Sequence, residues 1–169
     1  MVKAISEEIR LIEPKIEDYD FYYDLKSEKT NIFWSGHTQK PNYETFKVWY
    51  IENVINKSII FKFIDWKNKH VGALYFKIYN NICTYLGLAI SEKYQGLGIS
   101  KIAVLAFINH IKEVYVDCET IKFYIREDHY QSISIHKKLG CIQSGEYEYK
   151  FLESENKEIK MIEWILRIK

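Results

Sequence analysis

Three consecutive β-like runs, followed by a helix and a further strand, constrain the fold of this chain more than any other feature. The runs Ser58–Asp65, Val71–Tyr79 and Ile82–Ile90 are rich in β-branched and aromatic residues, and short polar turns join them. That pattern predicts an antiparallel meander. A largely apolar helix over Gly96–Glu113 then leads to a strand over Thr120–Ile125. Because a buried crossover helix joins strands that run side by side in the same direction, we expect one parallel pair within an otherwise antiparallel sheet.

The segment before the meander predicts one short strand and two helices. A strand over Ile9–Glu13 ends at Pro14, and apolar residues at helical spacing predict a first helix over Glu17–Glu28. The stretch Asn31–Pro41 contains glycine and ends in proline, so we interpret it as an aromatic loop. Asn42 can cap a second helix, which we expect to follow it.

The segment after the crossover completes an α+β fold. A short helix is predicted over Gln131–Leu139, and strands over Tyr147–Leu152 and Ile159–Ile168 form a closing hairpin. We therefore predict a mixed, mostly antiparallel sheet of about seven strands, with the parallel pair in its middle and helices on both faces. No linker or repeat interrupts the pattern, so residues 1–169 are predicted to form a single domain.

Composition excludes two classes of partner. The chain has 24 Lys and Arg against 23 Asp and Glu, a formal net charge of +1. This balance is too small for bulk electrostatic capture of nucleic acid or of an anionic membrane. No apolar stretch approaches the ~18 residues of a membrane span. We expect a globular protein without nucleic-acid or membrane partners.

The cysteines and the first residues indicate the compartment. Cys83, Cys118 and Cys141 form no C-x-x-C pair, so a disulfide framework or a zinc site is not expected. The segment Met1–Leu11 lacks the apolar stretch of a secretion signal. These features predict a cytoplasmic protein with reduced thiols and no bound metal.

The stretch Leu86–Lys101 contains the clearest indication of a binding site. A strand runs into a loop that holds Gly96 and Gly98, and a helix follows at once. Glycines let a ligand approach the backbone, and the free N–H groups of the first helical turn favour an anion. This order of elements is typical of phosphate binding, and a flexible turn without a ligand is the alternative. The G-x-x-x-x-G-K-S/T pattern of P-loops is absent, and Lys101 stands where a dinucleotide-binding loop needs its third glycine.

Two motifs resemble those of the GNAT family of N-acetyltransferases. The segment Gln95–Ser100 (QGLGIS) is similar to the family's acyl-CoA-binding motif Q/R-x-x-G-x-G/A. The segment Ser132–Gly140 (SISIHKKLG) is similar to the family's N-x-x-S/A-x-x-x-Y-x-K-L-G-F. The predicted elements also follow the family's order over roughly residues 9 to 168, and Gly87 resembles the family's strand bulge. In texture the chain is similar to the branch that acetylates ribosomal-protein N-termini, polyamines and amino sugars.

The resemblance implies a V-shaped cleft between the strands Ile82–Ile90 and Thr120–Ile125, in which acetyl-CoA binds. Its pyrophosphate is expected on the main-chain amides of Gln95, Gly96, Leu97, Gly98, Ile99, Ser100 and Lys101. Main-chain groups of Leu88, Ala89 and Ile90 are expected to hold the pantetheine arm. The acceptor amine then attacks the thioester directly, with a base to take its proton and an acid to protonate the leaving thiolate.

The chain departs from the family pattern where catalytic groups are expected. His129 replaces an Asn and either binds CoA or acts as base, with a plain loop residue as the alternative. His136 replaces a Tyr and could protonate the thiolate, because an imidazolium is a competent acid near neutral pH; packing in the core is the alternative. Tyr85 replaces a Glu, and either faces the cleft or belongs to the core. Asp128 is expected to cap the following helix rather than to act as base.

Trp34 and His37, in the aromatic loop, are the residues that we expect to contact the acceptor. A loop anchored by a buried tryptophan is the alternative. The expected partners are acetyl-CoA and an amine, and a homodimer is left open. The leading function is transfer of acetyl from acetyl-CoA to a primary amine, on a protein N-terminus or a small molecule. A non-catalytic acyl-CoA-binding module is the alternative, because the glycine loop is intact while the acid and base positions are changed.

Overall fold

The computed structural model describes residues 8–169, so most of the segment on which the secretion-signal expectation rests, residues 1–7, lies outside it. Its strands are β1 (Ile9–Ile12), β2 (Ile60–Trp66), β3 (Lys69–Tyr79), β4 (Ile82–Ile90), β5 (Thr120–Arg126), β6 (Ile142–Leu152) and β7 (Lys157–Arg167). Its helices are α1 (Tyr19–Ser27), α2 (Lys29–Ser35), α3 (Tyr43–Tyr50), α4 (Ile99–Val114) and α5 (Tyr130–Lys138). The strands of this described part form one seven-stranded sheet in the order β1-β2-β3-β4-β5-β7-β6.

The central pair of strands is parallel, which confirms the prediction from the crossover. β4 and β5 run side by side, whereas the other neighbouring strands of the described sheet are antiparallel. The parallel pairing ends at Tyr85 and Phe123, although β4 continues to Ile90 and β5 to Arg126. The sheet therefore opens into a V whose walls are the last residues of β4 and β5.

Two-residue turns set the register of the meander. Lys67 and Asn68 connect β2 to β3, and Asn80 and Asn81 connect β3 to β4. All four residues have positive φ, between 47° and 61°. Positive φ at both central positions is the geometry of a type I′ turn, and asparagine tolerates it better than most residues. The polar turns predicted from the sequence therefore have the expected hairpin geometry.

Helices cover both faces of the sheet and form two hydrophobic cores. On one face α4 and α5 pack on the strands, and Phe107 lies against Phe76 with ring centroids 5.0 Å apart. On the other face α1 and α3 supply Tyr22 and Tyr50, whose rings pack on Phe61 of β2. Of the 14 tyrosines of the chain, Tyr19, Tyr22 and Tyr50 are buried in this second core. No helix among the described residues is long and apolar enough to cross a membrane.

The predicted loop over Asn31–Pro41 is wrong in its first half. The backbone is extended at Glu28, a second short helix (α2) follows, and Gly36 ends it with a φ of 79°. Between α2 and α3, residues 36–42 lack helix or strand. The helix spans about two turns, too few for a periodic pattern to stand out beside Gly36 and Pro41.

The closing hairpin is longer than predicted. β6 begins at Ile142 rather than Tyr147, and its pairing with β7 is irregular between Gln143 and Tyr147. Gly145 lies in that irregular stretch with a φ of 95°. The first residues of β6 are exposed and polar or small, so neither alternation nor β-branching marked them as a strand.

Candidate active site

An extra residue in β4 opens the V. Tyr75 of β3 pairs with Gly87 while Phe76 pairs with Tyr85, so Leu86 has no partner in β3. This is a β-bulge, one residue before the glycine at which the family resemblance put it. Because a bulge bends its strand, it turns β4 away from β5 at the position where their pairing ends.

The end of β4 is fixed to both the glycine loop and α2. Leu88, Ala89 and Ile90 lie beyond the last pair with β5, on the open edge of the strand. The carbonyl of Ile90 accepts a hydrogen bond from Nε2 of Gln95 at 3.0 Å and one from Nδ2 of Asn31 at 3.4 Å. The residues expected to hold pantetheine therefore line the V.

The glycine loop has the geometry of an anion site. Gly98 is the N-cap of α4 with a φ of 80°, and Gly96 has a φ of 77°. A Cβ added at either glycine would meet no described atom within 4 Å, so both face open space. Ile102 is the first residue of α4 whose amide bonds back to Gly98, which leaves the amides of residues 99–101 available. These features fit the pyrophosphate of CoA.

A carboxylate ties the α1–α2 junction to the start of the glycine loop. Glu28 accepts hydrogen bonds from the Ser91 hydroxyl (2.7 Å) and from the Glu92 amide (2.8 Å). Glu92 in turn accepts one from the Thr30 amide at 2.7 Å, and this bond lowers the pKa of Glu92. One set of hydrogen bonds thus holds the α1–α2 junction against the start of the glycine loop.

Trp34 and His129, predicted for opposite sides of the cleft, form one stack. Their ring centroids are 3.7 Å apart and their planes differ by 10°. The Arg126 guanidinium lies 5.0 Å from the centroid of the Trp34 ring. Burial, together with the Arg126 charge, lowers the pKa of His129, so its imidazole is largely neutral near pH 7 and can accept a proton.

Arg126 organises the end of β5. Its side chain is 4% exposed, and its Nε and Nη2 donate to the two oxygens of Asp128 at 3.0 and 2.8 Å. A further bond reaches Glu155 at 3.3 Å. Hydrogen bonding to Arg126 lowers the pKa of Asp128. The expectation that Asp128 caps α5 is wrong, because its carboxylate is engaged by Arg126 and His129 occupies the N-cap position without a side-chain cap bond.

His136 lies in the core. It is 5% exposed, and its ring centroid is 4.6 Å from that of Phe123. Its Nδ1 donates to the Ser132 carbonyl at 2.8 Å, while the buried Nε2 has no partner among the described residues. Burial lowers the pKa of His136 despite that bond. Since its one proton is held by a helix carbonyl, the structure favours the packing alternative over the acid.

Tyr85 also belongs to the core rather than to the cleft. Its ring lies 5.0 Å from that of Phe107 and 5.1 Å from that of Phe123. Its hydroxyl is buried without a partner in the described chain, and burial raises its pKa. A group in these surroundings cannot take over the proton transfer of the glutamate that it replaces.

Tyr75 is a candidate that the sequence interpretation missed. A Cβ added to Gly87 would lie 2.9–3.0 Å from Cε1, Cζ and Oη of Tyr75, so the ring covers the glycine at the bulge. Burial raises the pKa of Tyr75, so its hydroxyl keeps its proton. Counting pairs back from the Asn80–Asn81 turn would have put Tyr75 near the start of the V.

A buried carboxylate lies behind the β5 wall. Glu163 of β7 accepts hydrogen bonds from Tyr124 (2.5 Å) and Lys122 (3.2 Å). Although burial opposes it, hydrogen bonding from Tyr124, Ser144 and Lys122 lowers the pKa of Glu163. The bond to Glu163 and burial raise the pKa of Tyr124 to about 12. Tyr124 is the first β5 residue beyond the last pair with β4. In the sequence, Glu163 is the one charged residue within the apolar run MIEWIL, and this could have indicated a buried carboxylate.

His37 lies apart from the Trp34 stack. It is exposed, and its Nδ1 is 3.5 Å from the Glu153 carboxylate, in the turn after β6. It stands at the rim of a cavity of about 350 Å³ between α1, α2, α3 and that turn. The amide of Ser154 donates to the Gly36 carbonyl at 3.3 Å and fixes the turn against α2.

The thiols are not placed for chemistry. Cys83, Cys118 and Cys141 are all free and buried. Burial raises the pKa of Cys83 and raises that of Cys141 to about 11, so neither forms a thiolate readily. Within residues 8–169, no three His, Cys, Asp or Glu side chains lie close enough together to hold a metal ion.

The family follows from the match to its profile. The Acetyltransferase (GNAT) family matches residues 19–141, which include the glycine loop and the SISIHKKLG segment. The chain belongs to this family and is an acetyl-CoA-dependent N-acetyltransferase. No curated protein sequence matches the chain.

Solved structures share the fold at low sequence identity. A spermidine N-acetyltransferase from Vibrio cholerae in complex with CoA and spermine has a TM-score of 0.81 and 8% identity, over 95% of this chain and 96% of that one. An acetyltransferase (GNAT family) from Bacillus anthracis has a TM-score of 0.76 and 16% identity, over 95% of both chains. A ribosomal-protein alanine N-acetyltransferase from Escherichia coli has a TM-score of 0.70 and 13% identity, over 95% and 94%. These matches confirm the predicted fold.

Proposed function

We propose that the protein transfers acetyl from acetyl-CoA to a primary amine, on a small molecule or a protein N-terminus, by direct attack of the amine on the thioester. One observation carries the proposal. β4 parts from β5 at a bulge, and the strand then leads into a glycine loop that faces open space. In this arrangement acetyl-CoA can bind with its pyrophosphate at the glycine loop and its thioester at the bulge.

The CoA side of the cleft acts mainly through the backbone. Acetyl-CoA supplies an activated acetyl group as a thioester. The amides of residues 96–101, at the N-terminal end of α4, hold the pyrophosphate, whereas the amide of Gln95, expected to do so from the sequence, already donates to the Glu92 carbonyl at 3.3 Å. Leu88, Ala89 and Ile90 bind the pantetheine along the open edge of β4, much as a neighbouring strand would. A main-chain N–H next to the bulge polarises the thioester carbonyl.

Two side chains handle the protons. His129, neutral beneath Trp34, accepts the proton of the amine. The Tyr75 hydroxyl, which keeps its proton beside Gly87, protonates the thiolate as it leaves. His136 and Tyr85 have no role in this scheme, because the Nε2 of His136 and the hydroxyl of Tyr85 are buried without a hydrogen-bond partner among the described residues.

The test combines binding with turnover. Acetyl-CoA binding is measured by calorimetry, and thiol release is followed with a broad panel of amines. We expect turnover with a primary amine, and Tyr75→Phe should lower kcat about ten- to a thousandfold while CoA affinity holds. Tyr79→Phe, on the exposed end of the same strand, is the matched control. Binding without thiol release on any amine would instead make the protein a non-catalytic acyl-CoA-binding module.

We also propose that the protein forms a homodimer through β6. β6 is one of the two edge strands of the described sheet, and Tyr147, Tyr149 and Phe151 are 53–59% exposed along one of its faces. Antiparallel pairing of two copies centred on Tyr149 would put Glu148 of each copy opposite Lys150 of the other. Aromatic and opposite-charge pairs across strands are both favourable.

A further inference from the structure

The cavity at the rim of which His37 lies has no role in the scheme above. It measures about 350 Å³ and lies between α1, α2, α3 and the turn after β6. Its polar lining includes Lys26, Ser35 and Lys40, and Phe46 supplies an apolar wall. Glu153 also contributes, but it faces His37 at 3.5 Å. The lining therefore carries more positive than negative charge.

Lys26 is the unusual group in this lining. It is half-buried, and its Nζ donates to the Ser35 hydroxyl at 3.0 Å. Burial, together with the charge of Lys150, lowers the pKa of Lys26 to about 8. Among residues 8–169, no carboxylate lies within ion-pair distance of Lys26 or Lys40. Partial burial of an ammonium group without a counter-charge costs free energy, and an anionic ligand would offset that cost.

Helix α2 joins this cavity to the acceptor side of the cleft. Ile32 and Ser35 of α2 line the cavity, and Trp34, which lies between them in the chain, stacks on His129 with ring centroids 3.7 Å apart. The three residues lie within about one helical turn of one another. An acceptor with its amine beside His129 could thus reach the cavity with its other end.

We propose that this cavity binds an oxyanion group of the acceptor, so that the preferred substrates are primary amines that also carry a carboxylate or a phosphate. This inference rests on the proposed function and narrows its substrate class. Lys26 and Lys40 attract the anion, and the Ser35 hydroxyl is a further hydrogen-bond donor at the same place. A second ammonium group on the acceptor would meet like charges here, so diamines and polyamines bind poorly.

The kinetic test uses matched acceptors and variants. Linear ω-amino acids, their carboxamides, diamines of equal length and ω-aminoalkyl phosphates are compared by thiol release. We expect the carboxylate or phosphate series to have at least about tenfold higher kcat/KM than the other two. Lys26→Met should remove that preference by raising KM for anionic acceptors only, and Lys26→Arg should retain it. Lys112→Met, an exposed lysine on α4, is the control and should change nothing. The separate carboxylate and phosphate series show which oxyanion fits.

A binding test keeps the inference independent of turnover. Malonate and inorganic phosphate are titrated into wild type and Lys26→Met, with melting temperature and calorimetry as readouts. Binding by wild type that the variant loses supports the cavity even if no amine is acetylated, in which case only the proposed function fails. The inference is overturned if amides or diamines are equally good acceptors, or if Lys26→Met leaves anion binding unchanged. In either case acetyl transfer to another amine would still stand.

Discussion

Replacing Trp34 by alanine tests whether this residue contributes to binding of the acceptor, of acetyl-CoA or of both. The ring is half-buried, stacks on His129 at 3.7 Å and lies 5.0 Å from the Arg126 guanidinium. Truncating a fully buried tryptophan costs about 3–5 kcal/mol, so half-burial predicts about 2 kcal/mol, and the lost cation–π contact adds up to about 1 kcal/mol. The free energy of unfolding should fall by about 2–3 kcal/mol, a decrease of roughly 4–12 °C in Tm for a domain of this size.

The same change should alter His129. Burial is the main cause of its lowered pKa, so removing the covering ring should raise that pKa towards the ordinary value of about 6.5. NMR titration of the imidazole protons measures this shift directly. In kinetic assays we expect KM for the acceptor to rise about tenfold and KM for acetyl-CoA to stay within about twofold, because the glycine loop does not include Trp34.

Two further variants make the result interpretable. Trp34→Phe retains a ring that can stack and should keep most of the acceptor affinity. His37→Ala removes an exposed side chain at the cavity rim and should leave the His129 titration unchanged. If Trp34→Ala changes Tm alone, with both KM values and the His129 pKa unaltered, the stack is only a packing element. If only the KM for acetyl-CoA rises, the assignment of Trp34 to the acceptor site is wrong.

Four other outcomes follow from the structure. Gly98→Val should weaken acetyl-CoA binding at least about tenfold in calorimetry, whereas Gly145→Val, which carries similar left-handed strain far from the loop, should not. His136→Phe should leave kcat within about threefold; a loss of about ten- to a thousandfold in initial rate would restore the acid role. Because burial lowers the folded-state pKa of His129 and His136, the unfolded state takes up protons first. The free energy of unfolding should therefore be constant above about pH 6.5 and decrease below that pH. Urea unfolding at about pH 5.5 and about pH 7.5 measures the difference, and equal urea midpoints would contradict the prediction. Tyr149→Lys should shift light scattering from dimer to monomer, and an unchanged mass would exclude the β6 interface.

The fold was predictable where its determinants are local. Asn80 and Asn81 specify a tight hairpin turn by themselves, and an apolar helix between two β-like runs allows little but a parallel crossover. α2 was not predictable in the same way. Its start depends on Glu28, whose partners Ser91 and Glu92 lie some sixty residues later in the chain.

The same distinction between local and distant determinants explains which parts of the candidate site could be predicted from the sequence. The CoA loop acts through backbone groups, so glycine spacing alone indicates it. Whether a side chain faces the cleft depends on distant packing, such as Phe107 and Phe123 around Tyr85. A motif position could not show that His136 turns its Nδ1 to a helix carbonyl. Tyr75 was missed because its importance arises from a bulge in the neighbouring strand.

The junction at Glu28 makes the two substrate sites mechanically dependent on each other. The loop cannot move by the length of a hydrogen bond without breaking the bonds from Ser91 and Glu92, and α2 cannot move without straining the bond from Thr30. A ligand that settles the loop therefore also steadies the helix that carries Trp34. The two substrates should therefore bind cooperatively, with each one tightening the binding of the other by the same factor.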